Sequence, residues 1–315
     1  MNSTKTLEEF KDLKNNWNGY DADPIDIDII EKAIYLDKLI PFDTQVFPTA
    51  ANSVQFDFED GFRYLEIDIE KDNLTIFEML DEGKELEIKL EFNTKGIIEV
   101  LNHIKLFYKK EVKDIALFSG AFNPPTKAHY HVMKKILETK TCDTVAIALC
   151  NEEFLNKKAK KHNFSFYYSE EDRLFMMLKM TALNKDILIY GIEDGYTYDV
   201  LNNVKNKLKT IEEDKLEKAN VHFIAGSDKI SQMKKWGHSK ELLNNFSFII
   251  LTRGDSKDIE TLCKETYKNY SIIDTSTYKD VSSTIVRNKI KNNENISSLV
   301  TKDVEDAINL FKHRV

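Results

Sequence analysis

The sequence predicts an α/β protein in two domains: a doubly wound parallel sheet over residues 113–315, preceded by a smaller α+β domain over residues 1–112. Two patterns predict this division. In the first third of the chain, apolar and polar residues alternate along consecutive short segments, which is typical of an antiparallel sheet with one buried face. Farther on, short apolar strands alternate with amphipathic helices, which indicates a parallel sheet covered by helices on both faces.

The composition fits two globular domains and argues against several classes of protein. The chain has 315 residues, of which 42% are hydrophobic and 31% are charged, with a formal net charge of -8. This negative charge argues against general binding to nucleic acid. The three cysteines form no C-x-x-C pair, and we recognise no signal peptide or membrane-spanning run. We therefore expect reduced thiols in a cytoplasmic protein that does not contact membranes.

The first domain begins with helical patterns and continues with strands. Apolar residues at helical spacing predict a helix through Leu7, Phe10, Leu13 and Trp17 and a second helix over residues 27–39. Strict alternation then predicts strands at residues 53–58, 64–69, 74–77 and 86–90. Glu59-Asp60-Gly61 predicts a hairpin turn between the first two of these strands. A closing helix is expected over residues 96–108, and the basic segment 109–113 is interpreted as a hinge.

The second domain alternates between strands and helices to its end. Strands are predicted at residues 115–119, 144–149, 187–190, 221–225, 246–251 and 271–273. Helices are predicted at residues 128–138, 170–181, 197–207, around 241–243, and at 258–267, 283–291 and 302–311. Ligands of doubly wound sheets bind beyond the carboxyl ends of the strands. The residues that follow the first strand are therefore the first candidates for a binding site.

The segment that follows the first strand of the second domain has the composition of a phosphate-binding turn. The strand at residues 115–119 leads into small residues, then Pro124 and Pro125, and then a helix that carries His129 in its first turn. Backbone N–H groups, a helix N-terminus and an imidazole would converge there, which suits an anionic phosphate. Gly120 would allow the backbone to approach the phosphate closely. A strand–turn–helix of any α/β domain is the alternative.

A second candidate anion site lies near the end of the chain, in the segment Val281-Ser282-Ser283-Thr284-Ile285-Val286-Arg287. Hydroxyl groups open a predicted helix there, and Arg287 follows one turn later. By itself the segment also fits a capped surface helix with a solvated arginine.

Together the two motifs resemble those of the nucleotidyltransferases related to class I aminoacyl-tRNA synthetases. They are most similar to the nicotinate and nicotinamide mononucleotide adenylyltransferase family, over residues 114–315. The resemblance implies a Rossmann-like fold and transfer of the adenylyl group of ATP to a pyridine mononucleotide, which forms NAD or deamido-NAD and pyrophosphate. It also implies Mg²⁺ bound to the ATP phosphates, with no direct side-chain ligand of the metal.

The resemblance further implies roles for individual residues. The catalytic contacts would come from His129, Arg287 and one lysine of a loop after the second strand, Lys157 or Lys158. The expected ATP-binding residues are Ser119, Gly120, Ala121, Phe122, Asn123, Thr126, Gly226, Asp228, Ser283 and Thr284. Asn123 could orient a water molecule on the metal. The expected mononucleotide-binding residues are Thr197, Tyr198 and Trp236. Arg173 would contact the nucleotide or pair with acidic residues, and His131 would be structural.

Alternatives remain open at this level. The choice between nicotinate and nicotinamide is undecided, and a different phosphorylated acceptor would use the same phosphate motifs for adenylyl or cytidylyl transfer. A nucleotide-sensing protein without turnover is a further alternative. Residues 1–112 lie outside the resemblance, and a protein partner or a homo-oligomer contact through them is possible.

Overall fold

The computed structural model describes residues 3–80, 83–109, 111–162, 168–193, 196–211, 219–254 and 258–311. The chain forms two compact units. One contains residues 1–109 and 182–185, and the other contains residues 110–181 and 186–315.

The first unit is an antiparallel sheet with helices. Its five strands pair in chain order as a meander: β1 (Gln45–Thr49), β2 (Ser53–Asp60), β3 (Arg63–Ile69), β4 (Asn73–Met79) and β5 (Glu85–Glu91). Three helices, α1 (Ser3–Glu9), α2 (Ile27–Asp37) and α3 (Thr94–Phe107), pack against this sheet. Alternate residues of the central strands, such as Phe56 and Ile67, are fully buried. The predicted antiparallel α+β architecture is confirmed.

One local prediction in this unit is wrong, and one strand was missed. The first helix ends at Glu9 and continues only as a short 3-10 turn to Asp12. Asn16 and Gly19 adopt left-handed backbone conformations, with φ of 63° and 76°, which an α-helix does not allow. Trp17 therefore lies in a turn, where its Nε1 donates a hydrogen bond to the carbonyl of Asp23. Strand β1 was not predicted, because it is short and contains Pro48.

The second unit is a six-stranded parallel sheet in the order β11-β10-β9-β6-β7-β8. Its strands are β6 (Asp114–Gly120), β7 (Thr144–Cys150), β8 (Ile187–Glu193), β9 (Asn220–Gly226), β10 (Ser247–Thr252) and β11 (Tyr270–Asp274). Its helices are α4 (Lys127–Glu138), α5 (Glu152–His162), α6 (Glu170–Thr181), α7 (Thr197–Ile211), α8 (Ile230–Met233), α9 (Ser239–Asn245), α10 (Ile259–Thr266), α11 (Ser283–Lys291) and α12 (Lys302–Phe311).

The strand order places the switch of direction beside β6. The chain runs outward from β6 through β7 to β8 and then returns to the other side of β6 as β9. The predicted doubly wound sheet is confirmed, and its switch point lies between β6 and β9, where ligands of such sheets bind. Among the residues described, no helix is long and apolar enough to cross a membrane.

Candidate active site

A cleft of about 350 Å³ opens at the carboxyl ends of the parallel strands. Its wall is formed mainly by the last residues of β6 to β10 and by the segments that follow them. The lining residues are Phe118, Ser119, Gly120, Ala121, Cys150, Phe154, Glu193, Thr197, Val200, Phe223, Ile224, Ala225, Gly226, Lys229, Trp236 and Leu251. The cleft is largely apolar, with a few polar groups at its edge, as is usual for sites that bind small molecules.

The turn after β6 brings His129 to the start of α4. Thr126 is the N-cap of this helix, and its hydroxyl accepts a hydrogen bond from the backbone N–H of His129 at 3.4 Å. In return, the backbone N–H of Thr126 donates to Nδ1 of His129 at 3.0 Å. This reciprocal capping box fixes both the helix start and the imidazole orientation.

The same hydrogen bond selects the tautomer of His129. Because Nδ1 accepts from a backbone N–H, a neutral imidazole carries its proton on Nε2. The ring lies against Phe118 and Phe122, with centroid separations of 5.9 Å and 5.0 Å. Phe118 also lines the cleft. His129 is therefore held in a fixed orientation next to the cleft wall, and its contact with a phosphate stays a prediction.

Phe122 has an unusual backbone conformation in this turn. Its φ is 44°, and a bulky side chain in the left-handed region costs about 1–2 kcal/mol. The buried ring packs edge-on against Phe118 and His129, which stabilises the conformation. A Cβ atom at Gly120 would lie only 3.2 Å from this ring, so glycine makes room for Phe122. The following Asn123–Pro124 peptide is cis.

The side chain of Asn123 is buried and binds another segment of the protein. Its side chain is 1% exposed, and its Oδ1 accepts a hydrogen bond from the backbone N–H of Tyr168 at 3.0 Å. The expectation that Asn123 orients a metal-bound water is not supported by this placement, because its side-chain oxygen already holds another segment.

Arg287 and Ser283 attach helix α11 to the turn. Nη1 of Arg287 donates to the carbonyl of Asn123 at 2.7 Å, and Nη2 donates to the Thr284 hydroxyl at 3.1 Å. The Ser283 hydroxyl donates to the carbonyl of Pro124 at 2.8 Å. Burial lowers the pKa of Arg287 from its ordinary value. The two sequence motifs, far apart in the chain, therefore meet through two hydrogen bonds, from Arg287 to Asn123 and from Ser283 to Pro124.

Gly226 and Asp228 lie where β9 ends at the cleft. A Cβ atom at Gly226 would approach Oδ1 of Asp228 to 2.5 Å, so a larger residue would displace this carboxylate. Asp228 also pairs with Lys229 at 2.7 Å. Lys229 lines the cleft.

Of the residues expected to hold the mononucleotide, Thr197 and Trp236 line the cleft. Trp236 packs edge-on against Phe223, with a centroid separation of 6.3 Å. Tyr198 differs, because its ring packs near those of His238 and Phe246, and it is not among the described lining residues. Its side chain faces packing partners in the same unit, which argues against the expected mononucleotide contact.

The predicted lysine loop is a helix. Residues 152–162 form α5, whose first turn is capped by the Asn151 side chain, which accepts from the backbone N–H of Phe154 at 2.8 Å. Acidic residues at the start of the helix stabilise it further. Lys157 is exposed and pairs with Glu153 one turn earlier, at 2.6 Å. The side chain of Lys158 lies outside the described part of the structure, and a phosphate contact by either lysine stays a prediction.

Several lining residues were not anticipated, notably Cys150, Phe154, Glu193 and Lys229. Cys150 and Glu193 are the last residues of β7 and β8. The rule that ligands bind at the carboxyl ends of strands would have found them, had it been applied to every strand. His131 lies on α4 with its ring 5.0 Å from that of Tyr278, and its structural role stays a prediction.

The chain is similar to a known family and to several named proteins. Residues 117–289 match the cytidylyltransferase-like family. A Fusobacterium nucleatum protein named "Probable nicotinate-nucleotide adenylyltransferase" is 33% identical over 201 residues, which cover 62% of this chain and 96% of that protein. A Clostridium acetobutylicum protein of the same name is 26% identical, with 62% and 96% covered. The structure of Plasmodium falciparum nicotinic acid mononucleotide adenylyltransferase complexed with NaAD aligns with a TM-score of 0.49 at 21% identity, covering 64% of this chain and 98% of that one.

Proposed function

This chain belongs to the cytidylyltransferase-like family, and we propose that it transfers the adenylyl group of ATP to a pyridine mononucleotide with release of pyrophosphate. The observation that carries the proposal is the placement of His129. It is fixed by a capping box at the start of α4, beside a cleft that already contains Thr197 and Trp236. The products are deamido-NAD from nicotinate mononucleotide and NAD from nicotinamide mononucleotide.

The proposed adenylyl transfer requires mainly that the two substrates are held in the correct positions. The phosphate of the mononucleotide is already an anion, so it attacks the α-phosphorus of ATP without a general base. The bond to the leaving pyrophosphate breaks as the new bond forms. Catalysis then depends on holding the two substrates in line and on stabilising the negative charge of the pyrophosphate. The N–H of the His129 ring and the backbone N–H groups of the turn are the donors that this chain offers.

Mg²⁺ would neutralise part of the triphosphate charge when bound with ATP. Among the described residues, no cluster of three or more His, Cys, Asp or Glu side chains could hold a metal ion. In this proposal the metal ion reaches the site on the phosphates of ATP.

The cleft offers groups that could bind the mononucleotide, which is the acceptor in the proposed reaction. Trp236 offers an aromatic face for the pyridine ring, and Thr197 begins helix α7, whose first N–H groups can donate to the carboxylate or carboxamide. We propose nicotinate mononucleotide as the preferred acceptor, with support from the names of the curated relatives.

The test is an assay of the purified protein with ATP, Mg²⁺ and either mononucleotide, with chromatographic detection of the dinucleotide and separate detection of pyrophosphate. We expect product from nicotinate mononucleotide at higher kcat/KM than from nicotinamide mononucleotide. Phosphopantetheine and a sugar phosphate serve as alternative acceptors, and CTP as an alternative donor. Dinucleotide formation from neither mononucleotide would refute the proposal, and tight ATP binding without any turnover would favour the nucleotide-sensing alternative.

A further inference from the structure

Arg173 on helix α6 is the largest fully buried side chain among the described residues, with 0% exposure. Its guanidinium binds three backbone carbonyl oxygens from three different segments. Nη1 donates to Ala121 at 3.0 Å and to Cys150 at 2.8 Å, and Nε donates to Tyr168 at 3.3 Å. The residue therefore joins the turn after β6, the end of β7 and the segment before α6.

Among the described residues, no carboxylate pairs with the positive charge of Arg173. Each of its contacts is a carbonyl oxygen, and within the described part of the chain its Nη2 has no hydrogen-bond partner. A buried cation without a carboxylate is costly for a fold, because neither water nor a counter-charge compensates for its desolvation. A substrate that brings several negative charges to the neighbouring turn would supply this compensation.

The bond to Ala121 also sets the direction of a peptide group in the turn. In a trans peptide the C=O and the following N–H point in opposite directions. Because the Ala121 carbonyl points at Arg173 in the interior, the N–H of Phe122 points away from it. The same relation is visible at β7, where the Cys150 carbonyl binds Arg173 and the N–H of Asn151 donates to Glu193 at 3.2 Å.

Neighbouring contacts reinforce this arrangement. Tyr168 accepts from Arg173 through its carbonyl and donates through its N–H to the Asn123 side chain. On the far side of the turn, Arg287 binds the Asn123 carbonyl. Two arginines thus hold carbonyl groups two residues apart, and the left-handed Phe122 lies between them.

We propose that Arg173 is a positioning residue for the phosphate turn, which it holds in the orientation that presents the Phe122 N–H to the triphosphate, and that its buried charge strengthens ATP binding. The inference rests on the proposed function. Arg173 touches no substrate in this account and acts through the turn. It would hold the donors in place before ATP arrives, so that binding requires no rearrangement.

The experiment compares Arg173→Lys and Arg173→Gln with the unaltered protein by calorimetric ATP binding, by kcat and KM for both substrates, and by thermal unfolding. Lysine keeps the positive charge but not the planar, forked set of donors of a guanidinium, and glutamine keeps hydrogen bonding but not the charge. We expect kcat of the glutamine variant to fall about a hundredfold, as for other small displacements of catalytic donors. ATP should bind more weakly, KM for the mononucleotide should change little, and lysine should restore part of the loss.

Arg63→Lys is the matched control, because Arg63 is a partly buried arginine of the first unit that also binds a backbone carbonyl, that of Phe107. It should lower the unfolding temperature and leave kcat unchanged. A folded Arg173→Gln protein with unaltered kcat and ATP affinity would overturn the inference. If this variant does not fold, an Arg173→Lys protein with unaltered values would overturn it equally. If the unaltered protein makes no dinucleotide, the proposed function fails, and the ATP affinities of the variants still decide the role of Arg173.

Discussion

The two units of this protein bind an arginine side chain in opposite ways, Arg63 being partly buried and Arg173 fully buried. In the antiparallel unit, Nη2 of Arg63 pairs with Oε1 of Glu78 at 2.6 Å. The other carboxylate oxygen of Glu78 lies 2.7 Å from Nε2 of the buried His103. In the parallel unit, the contacts of Arg173 are all carbonyl oxygens.

The difference separates a charge that serves stability from a charge that serves binding. A guanidinium neutralised by a carboxylate has little attraction left for a further anion, whereas one held by carbonyl dipoles keeps its full charge. The first pattern suits a core and the second suits the wall of a phosphate site. The comparison therefore predicts that polar substitutions in the first unit alter stability, and that those around the cleft alter chemistry.

The largest expected effect on stability comes from Glu78→Ala. It leaves Arg63 and His103 without their partner in a buried place, and the loss of one member of a buried ion pair costs about 3–5 kcal/mol. Urea unfolding measures the change. Glu87→Ala, on the exposed neighbouring strand β5, is the control and should stay within about 0.5 kcal/mol of the unaltered protein. A large fall of kcat in folded Glu78→Ala would break the comparison.

His129→Asn should lower kcat and leave stability nearly unchanged, the opposite of Glu78→Ala. The asparagine oxygen can replace Nδ1 as acceptor for the Thr126 N–H, so the helix start is kept, whereas the donor at Nε2 is lost. We expect kcat to fall by about a hundred- to a thousandfold, as for removal of one oxyanion-hole donor, with little change in thermal stability. His131→Asn on the same helix is the control and should retain kcat. Normal turnover of His129→Asn would mean that His129 does not face the phosphates.

Trp236→Ala should weaken the binding of the mononucleotide and not that of ATP. Stacking of a base on an aromatic side chain is worth about 1–3 kcal/mol, so KM for the mononucleotide should rise roughly five- to a hundredfold while KM for ATP stays nearly constant. Trp17, in a turn of the first unit, provides the control variant Trp17→Ala. Equal increases of both KM values would indicate that Trp236 only supports the fold of the cleft.

The smallest effect is a pH dependence confined to the first unit. Burial works to raise the pKa of Glu78, but the hydrogen bonds and charges of His103 and Arg63 outweigh it, and the pKa lies below its ordinary value. A carboxylate with a lowered pKa stabilises the fold above the pKa of the unfolded state, about 4.3, and this contribution is lost as pH falls through the folded-state pKa.

The unfolding free energies of the unaltered protein and Glu78→Gln should therefore converge below about pH 4, by at most about 1.4 kcal/mol per pH unit. Urea titrations between pH 6 and pH 3.5 measure this, and other carboxylates cancel in the difference. A difference that stays constant with pH would show that Glu78 does not contribute through its ionisation.

Hydrophobic periodicity was sufficient for most of the fold. Alternation predicted β2 to β5, and the alternation of apolar strands with amphipathic helices predicted β6 to β11, with boundaries within a few residues of those observed. The errors occur where local chemistry replaces periodicity. The first helical pattern ends in a 3-10 turn at Asp12, because Leu13 is already extended, and Asn151 caps a helix in a segment whose lysines suggested a loop.

The sequence by itself determined the fold class and the two motifs of the family resemblance, because strand and helix periods and short capping patterns are local properties of the chain. The tertiary structure alone decided what individual polar groups do. Asn123 and Tyr198 are turned toward other parts of the protein, and Arg173 binds three carbonyl oxygens. These partners lie up to 52 residues apart in the chain. A polar side chain contacts a substrate or holds a neighbouring segment, depending on which buried backbone groups still need a hydrogen-bond partner once the sheet has formed. No local sequence pattern shows which groups these are.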